Sequence, residues 1–300
     1  MKIVRPHTSV DRVRITGVVT RFMRGLRAGR MSDLGLLLVL LAVVAGIVFA
    51  IDPRLDLRLT SLFFDDATRS FPAASHPVAV WLRSMSIWIF TAFVVAVVAM
   101  VIARFVLPLP VFPVPARSVV FLALTLALGP GLMVNGILKE LWPRPRPGAV
   151  VEFGGTLPFV PWWDLRGGCD QNCSFVSGET SDATWLVAPA LLVPGAARVV
   201  ALGAAGIFTV AISTLRIAFG GHFASDVIFA VLLTLAVIWV IYGLVFKVDW
   251  MRLQTGPLPR IVRRAIARCG RAESNLIAYG DWTTALRFGD PSTPPAPLSD

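Results

Sequence analysis

A chain of 300 residues that is 56% hydrophobic and only 15% charged is too apolar for an ordinary soluble domain. Its mean hydropathy is +0.73 and its net charge +10, so the arginines must be concentrated outside the apolar runs. That is the pattern of a polytopic membrane protein with basic cytoplasmic ends, and it speaks against a nucleic-acid partner, because no basic stripe forms within a soluble module.

Residues 1–32 carry Lys2, Arg5, Arg12, Arg14, Arg21, Arg24, Arg27 and Arg30 against the single acid Asp11. This tail is longer than a signal-peptide n-region, and a full-length apolar segment follows it. It reads as an uncleaved first transmembrane helix over about 34–51 with its N-terminus inside, in preference to a cleaved signal ending near Ala50. Residues 52–77 alternate Asp52, Arg54, Asp56, Arg58, Asp65, Asp66 and Arg69 with leucines and phenylalanines, as an interfacial segment on the outer face would. A second span runs from 78 or 85 to 107, followed by a proline-rich turn at 108–115. The third, 118–138, contains Gly129-Pro130-Gly131, which is expected to kink it or admit a close neighbour. The longest extramembrane loop ends near Asp182. The apolar stretch 183–219 is broken by Pro194-Gly195 into two helices with a tight inside turn, and a last span covers 226–246.

Lys247, Arg252, Arg260, Arg263, Arg264, Arg268 and Arg271 make the C-terminal region as basic as the N-terminal one, which selects six spans with both termini cytoplasmic. Residues 260–268 read equally well as an amphipathic helix on anionic lipid or as a solvated helix. The proline-rich end from about 290 is expected to be disordered. The fold class is therefore all-α, an integral membrane bundle over 33–247 between basic tails at 1–32 and 248–300. The loop 140–182 and the turn 216–226 fall on the outer face.

The stretch 216–226 reads Arg-Ile-Ala-Phe-Gly-Gly-His-Phe-Ala-Ser-Asp between apolar runs, where charge is costly and marks function. If a helix opens near Ser225, His222 and Asp226 lie one turn apart on one face. The carboxylate would hold one imidazole nitrogen protonated and aim the other at a substrate. Arg216, across the Gly220-Gly221 turn, would bind an anion at the same point. Taken alone, the pair is more simply two helix ends and a solvated loop. Lys139-Glu-Leu-Trp-Pro-Arg144-Pro-Arg146-Pro147 then adds three cations on an extended backbone just past a transmembrane helix. Positive charge on the outer side runs against the usual bias. Guanidinium forks and a lysine point charge suit phosphate oxygens, and snorkelling would explain one such residue but not three. Finally, Ser177 in Cys173-Ser-Phe-Val-Ser177-Gly178-Glu179-Thr180 can cap the fourth helix, with N–H groups around Gly178 pointing at an anion.

In order and spacing these stretches resemble the three motifs of the type 2 phosphatidic acid phosphatase family, which shares its site design with the vanadium haloperoxidases. Lys139, six residues and Arg146-Pro147 match the first motif. Val176-Ser177-Gly178-Glu179 stands where the family has Pro-Ser-Gly-His. Leu215-Arg216, five residues, His222, three residues and Asp226 match the third, which begins Ser-Arg. The resemblance covers about residues 30–247. It implies that His222 attacks phosphorus to form a phosphohistidine, with Asp226 orienting it. Lys139, Arg146, Arg216, Ser177 and the Gly178 amide would hold the phosphoryl oxygens. It implies no metal or other cofactor.

Glu179 replaces the histidine that protonates the leaving group in the family. Either it is the acid, or another group such as His76 is, or the leaving group needs little help, as with an anomeric sugar phosphate such as that of lipid A or with a polyprenyl diphosphate. Cys169 and Cys173 are placed for a disulfide in an oxidising compartment, with two free thiols as the alternative. Trp142, Phe159, Trp162 and Trp163 read as interfacial anchors. The expected protein is a lipid phosphatase of a bacterial inner membrane with a periplasmic site. A phosphotransferase of the same family and a non-catalytic lipid-phosphate binder or transporter are the alternatives.

Overall fold

The computed structural model describes residues 31–106 and 114–247. The basic tails, most of the proline-rich turn and the stretch 260–268 lie outside the described residues. Helix α1 spans Met31–Ile51, α2 Arg54–Ser61, α3 Pro77–Val106, α4 Ala116–Leu126, α5 Gly178–Trp185, α6 Val187–Leu192, α7 Ala197–Ala218 and α8 Ala224–Tyr242. Among the described residues the only strand-like pairings are two isolated bridges, Asp65 with Ser70 and Val150 with Leu157.

Five helical stretches are long and apolar enough to cross a membrane: Asp33–Ile51, Pro77–Val106, Ala116–Leu141, Ala197–Ala218 and Ala224–Lys247. The expected fourth crossing is the broken pair α5–α6, whose fifteen residues rise roughly 22 Å at 1.5 Å each, shorter than the other five stretches and consistent with a bundle of six. The tight turn after it falls where Pro194-Gly195 placed it, and Gly195 adopts φ 61°. Leu36, Trp88, Val95 and Ile207 lie exposed on the outside of the bundle, as lipid-facing positions do.

α8 is the hub, packed by α1, α4 and α5. One core cluster joins Phe121 and Leu122 to Trp185, Ile238 and Ile241, and buried hydroxyls are paired across helices, Ser181 with Thr234 at 2.7 Å. Where a kink was expected in the third span, the helix widens. Residues Ala127–Leu138 continue α4 as a π-helix. Pro130 has no N–H to give, and the Asn135 side chain donates to its carbonyl at 2.8 Å. Gly129 lets Thr234 and Val237 of α8 come within 4.0 Å of where its Cβ would be. The wide register persists to Lys139, whose N–H bonds to Val134 O, so it sets where Lys139 emerges.

The long loop folds back over the same end of the bundle. Trp142 and Trp162 stack on Phe175 and Phe229, with Trp142 Nε1 donating to Trp162 O at 2.7 Å. Phe159 packs on Phe223. Of the four aromatic residues read as lipid anchors, only Trp163 is exposed. The other three close the loop onto the bundle, because ring-on-ring packing is available there.

Candidate active site

The turn between α7 and α8 carries His222, which is 2% exposed. Gly220 permits the turn with φ 62°, over the ring of Phe71 from the segment before α3. Gly221 must lack a Cβ because the Arg216 guanidinium carbon would lie 2.9 Å from it. The helix end thus folds its own arginine back under the histidine. Gly178 has the same role for another cation: Lys139 Nζ sits 2.7 Å from the position of its missing Cβ. Ser177 caps α5 by accepting from Thr180 N at 3.4 Å.

His222 is oriented differently from the simple reading of its spacing to Asp226. Its Nδ1 lies 2.7 Å from the carbonyl oxygen of Ser174 and 4.0 Å from Asp226 Oδ2. A carbonyl only accepts, so Nδ1 carries the proton and Nε2 the lone pair. Asp226 instead accepts from Ser174 Oγ at 2.6 Å, from Phe223 N at 2.8 Å and from Arg144 Nη1 at 2.6 Å. Ser174, a residue the motif spacing does not single out, thus touches both, its hydroxyl on Asp226 and its carbonyl on His222. Burial first, then the charges of Arg216, Arg146 and Lys139, hold the His222 pKa well below the usual histidine value. The ring is neutral at physiological pH, and three cations face it.

Arg146 is anchored by the disulfide loop. Cys169 and Cys173 are bridged, with Cα atoms 5.8 Å apart. Asn172 between them accepts from Arg146 Nε at 3.0 Å and Nη2 at 2.8 Å through its carbonyl, and from Nη2 at 2.7 Å through its side chain. Arg216 is 4% exposed, and its buried Nε has no hydrogen-bond partner. An orphaned guanidinium donor beside a neutral imidazole is a place for an anion to bind. Arg144, grouped by sequence with the other two cations, faces away into the protein and is fully buried.

Glu179 is paired with two arginines. Arg83 Nε lies 3.1 Å from both its carboxylate oxygens and Nη2 2.7 Å from Oε1, while Arg216 Nη1 is 3.5 Å from Oε1. A forked guanidinium uses those oxygens as acceptors. Arg83 was missed in the sequence, although a charge early in an apolar span was a signal. His76 is exposed at the start of α3. The Glu179 arrangement predicts that Glu179→Gln slows substrates with good and poor leaving groups by the same factor, about 10- to 100-fold, as expected for losing charge-assisted bonds. A selective loss on the poor leaving group, read from paired kcat/KM values, would restore it as the acid.

Three cations, Arg216 buried and Lys139 and Arg146 half-buried, around a neutral, oriented histidine at one end of a helical bundle with a lipid-facing exterior, suit phosphoryl transfer at a membrane. A family model described as the PAP2 superfamily matches residues 118–250. The lipid A 4'-phosphatase of Francisella tularensis subsp. novicida (strain U112) is 32% identical over 205 residues, 68% of this chain and 91% of that protein. Lipid A 4'-phosphatases of Rhizobium leguminosarum and Rhizobium etli are 42% and 45% identical over 113 and 102 residues, 38% and 34% of this chain and 48% and 40% of theirs. No solved structure matches at a significant level. This chain belongs to the PAP2 superfamily, the group of type 2 phosphatidic acid phosphatases.

Proposed function

We propose that this membrane lipid phosphatase removes a phosphate monoester from the sugar headgroup of a lipid A-type substrate, at the periplasmic face of a bacterial inner membrane, through a phosphohistidine at His222. The observation that carries the reading is the tautomer of His222: Nδ1 is committed to Ser174 O, leaving Nε2 as a nucleophile inside a cationic pocket.

In the first step Nε2 bonds to phosphorus and the bond from phosphorus to the sugar oxygen breaks. Lys139, Arg146 and Arg216 bind the equatorial oxygens and the charge that builds on them, and the N-terminus of α5 at Ser177 and Gly178 adds its N–H groups. In the second step water attacks phosphorus, the P–N bond breaks, and inorganic phosphate leaves with the histidine regenerated. Because Glu179 is held by Arg83, the departing sugar oxygen takes its proton from water. That suits a sugar hydroxyl, which is a better leaving group than a simple alcohol. The names of the three relatives support the same substrate class.

The purified full-length protein in detergent, offered lipid A carrying a 4'-phosphate, phosphatidic acid and a polyprenyl diphosphate, is expected to release phosphate from lipid A at least about tenfold faster than from the others, roughly 1.4 kcal/mol of discrimination. No release from any of them, with or without a lipid hydroxyl acceptor, overturns the hydrolase reading.

The sidedness of the site rests on the basic tails being cytoplasmic. In a Cys269→Ser background, a cysteine replacing the exposed Trp163 should react with an impermeant maleimide added outside spheroplasts, and one replacing Arg252 should not. The reverse labelling would place the site in the cytoplasm.

A further inference from the structure

A second set of charged residues lies behind the histidine, out of reach of any substrate. Arg144 is 0% exposed, Asp56 1% and Asp226 0%. Arg144 Nη2 donates to Asp56 Oδ2 at 2.7 Å, while its Nη1 donates to Asp226 Oδ1 at 2.6 Å and to Ser225 Oγ at 2.8 Å. Its Nε donates to Val160 O at 3.1 Å, and its guanidinium carbon stands 4.4 Å from the Phe223 ring centre. Asp56 accepts in turn from Ser225 N at 2.9 Å and Ser225 Oγ at 2.6 Å. The carboxylates and guanidinium form one satisfied unit that pins the first turn of α8 to α2 and to the loop.

We infer that Asp56 and Arg144 are positioning residues for the proposed reaction. They fix the Asp226 carboxylate, which holds Ser174 through its hydroxyl, and the Ser174 carbonyl sets the tautomer and aim of His222. The inference rests on the phosphohistidine reading and extends it to a residue of α2, outside the three motifs. Stability alone does not account for the unit. A buried ion triad recovers little more than its desolvation cost, and packed apolar side chains of similar volume often do as well. What apolar packing cannot supply is direction. Asp226 accepts along three bonds that leave its plane one orientation, and each of those donors is itself held. Two carboxylates and one guanidinium also leave the unit with one net negative charge, placed behind an imidazole that becomes cationic when phosphorylated at Nε2.

The test is Asp56→Asn in the full-length protein, which keeps shape and an acceptor but removes the charge. The exposed Asp66→Asn on the same segment is the control. The kcat for lipid phosphate release is expected to fall about 10- to 100-fold. KM and the inhibition constant of inorganic phosphate should stay within about threefold, because Lys139, Arg146 and Arg216 make no bond to Asp56. The thermal midpoint from tryptophan fluorescence checks that the protein is folded. An unchanged kcat overturns the inference, and so does a loss in which the phosphate inhibition constant rises in proportion to the fall in kcat, which would mean general distortion. Should Asp56→Asn fail to accumulate, Ser174→Ala decides. It deletes the hydroxyl link and keeps the carbonyl on His222, and a wild-type kcat there refutes the relay. Absence of phosphatase activity in the wild-type protein would instead refute the functional reading, so the two failures are distinct.

Discussion

Replacing His222 by Asn is expected to reduce phosphate release from lipid to background, a loss of at least about 10⁵-fold by analogy with deleting other enzymic nucleophiles. Asparagine is chosen because its amide can still donate to Ser174 O, the bond His222 Nδ1 makes at 2.7 Å. The local backbone then keeps its partner, and the buried carbonyl avoids the roughly 1–3 kcal/mol cost of being left unsatisfied. Only the nucleophile is removed. The same preparation supplies a second measurement. Wild-type protein quenched during turnover with labelled substrate should carry a phosphate that is stable in base and lost in acid, as a phosphoimidazole is, and His222→Asn should carry none. Retained turnover, or a labelled intermediate in the variant, would eliminate the covalent reading.

Much of this was legible in the sequence, for a physical reason. Membrane spans must be long, apolar and internally bonded, so α1, α3, α7 and α8 show as long, largely apolar runs. The residues proposed to bind phosphate could be grouped from the sequence because their spacing is local: Arg216 and His222 lie on either side of one glycine turn, and Ser177 and Gly178 start one helix. The parts that were not legible depend on distant contacts. Asp56 meets Ser225 across 169 residues, Arg83 meets Glu179 across 96, and Ser174 meets Asp226 across 52. Nothing in a single sequence distinguishes Asp56 from Asp52, Asp65 or Asp66 on the same segment. Arg144 and Arg146 look alike two residues apart, yet one is buried against carboxylates and the other is held toward the site by the disulfide loop. The partner of Glu179 was hidden for the same reason: its motif position suggests an acid, while Arg83, which bonds to it, comes from another helix.

Arg216→Ala is expected to be the most damaging change that leaves the nucleophile intact, about 10³-fold or more in kcat/KM. Three features of the site set that magnitude. The guanidinium is 4% exposed, so its interaction with a phosphoryl group is scarcely screened by water. Its buried Nε has no hydrogen-bond partner, so a bound phosphoryl group would satisfy a donor that is otherwise orphaned. It is also one of two guanidiniums facing Glu179, at 3.5 Å, and its removal leaves that carboxylate beside the incoming phosphate with only Arg83 to balance it. Both ground state and transition state are anionic, so KM should rise as well as kcat fall, unlike the pattern expected for Asp56→Asn. Arg216→Lys keeps a charge but loses the fork, and the space against Gly221 is shaped for a flat guanidinium. It should therefore recover no more than about tenfold of the loss, in the range of one charge-assisted hydrogen bond. Kinetics on the purified variants, with phosphate inhibition measured in parallel, decide the point. A loss smaller than about tenfold for Arg216→Ala would mean that Lys139 and Arg146 carry the transition-state charge without it, since such a loss is less than one good oxyanion donor contributes.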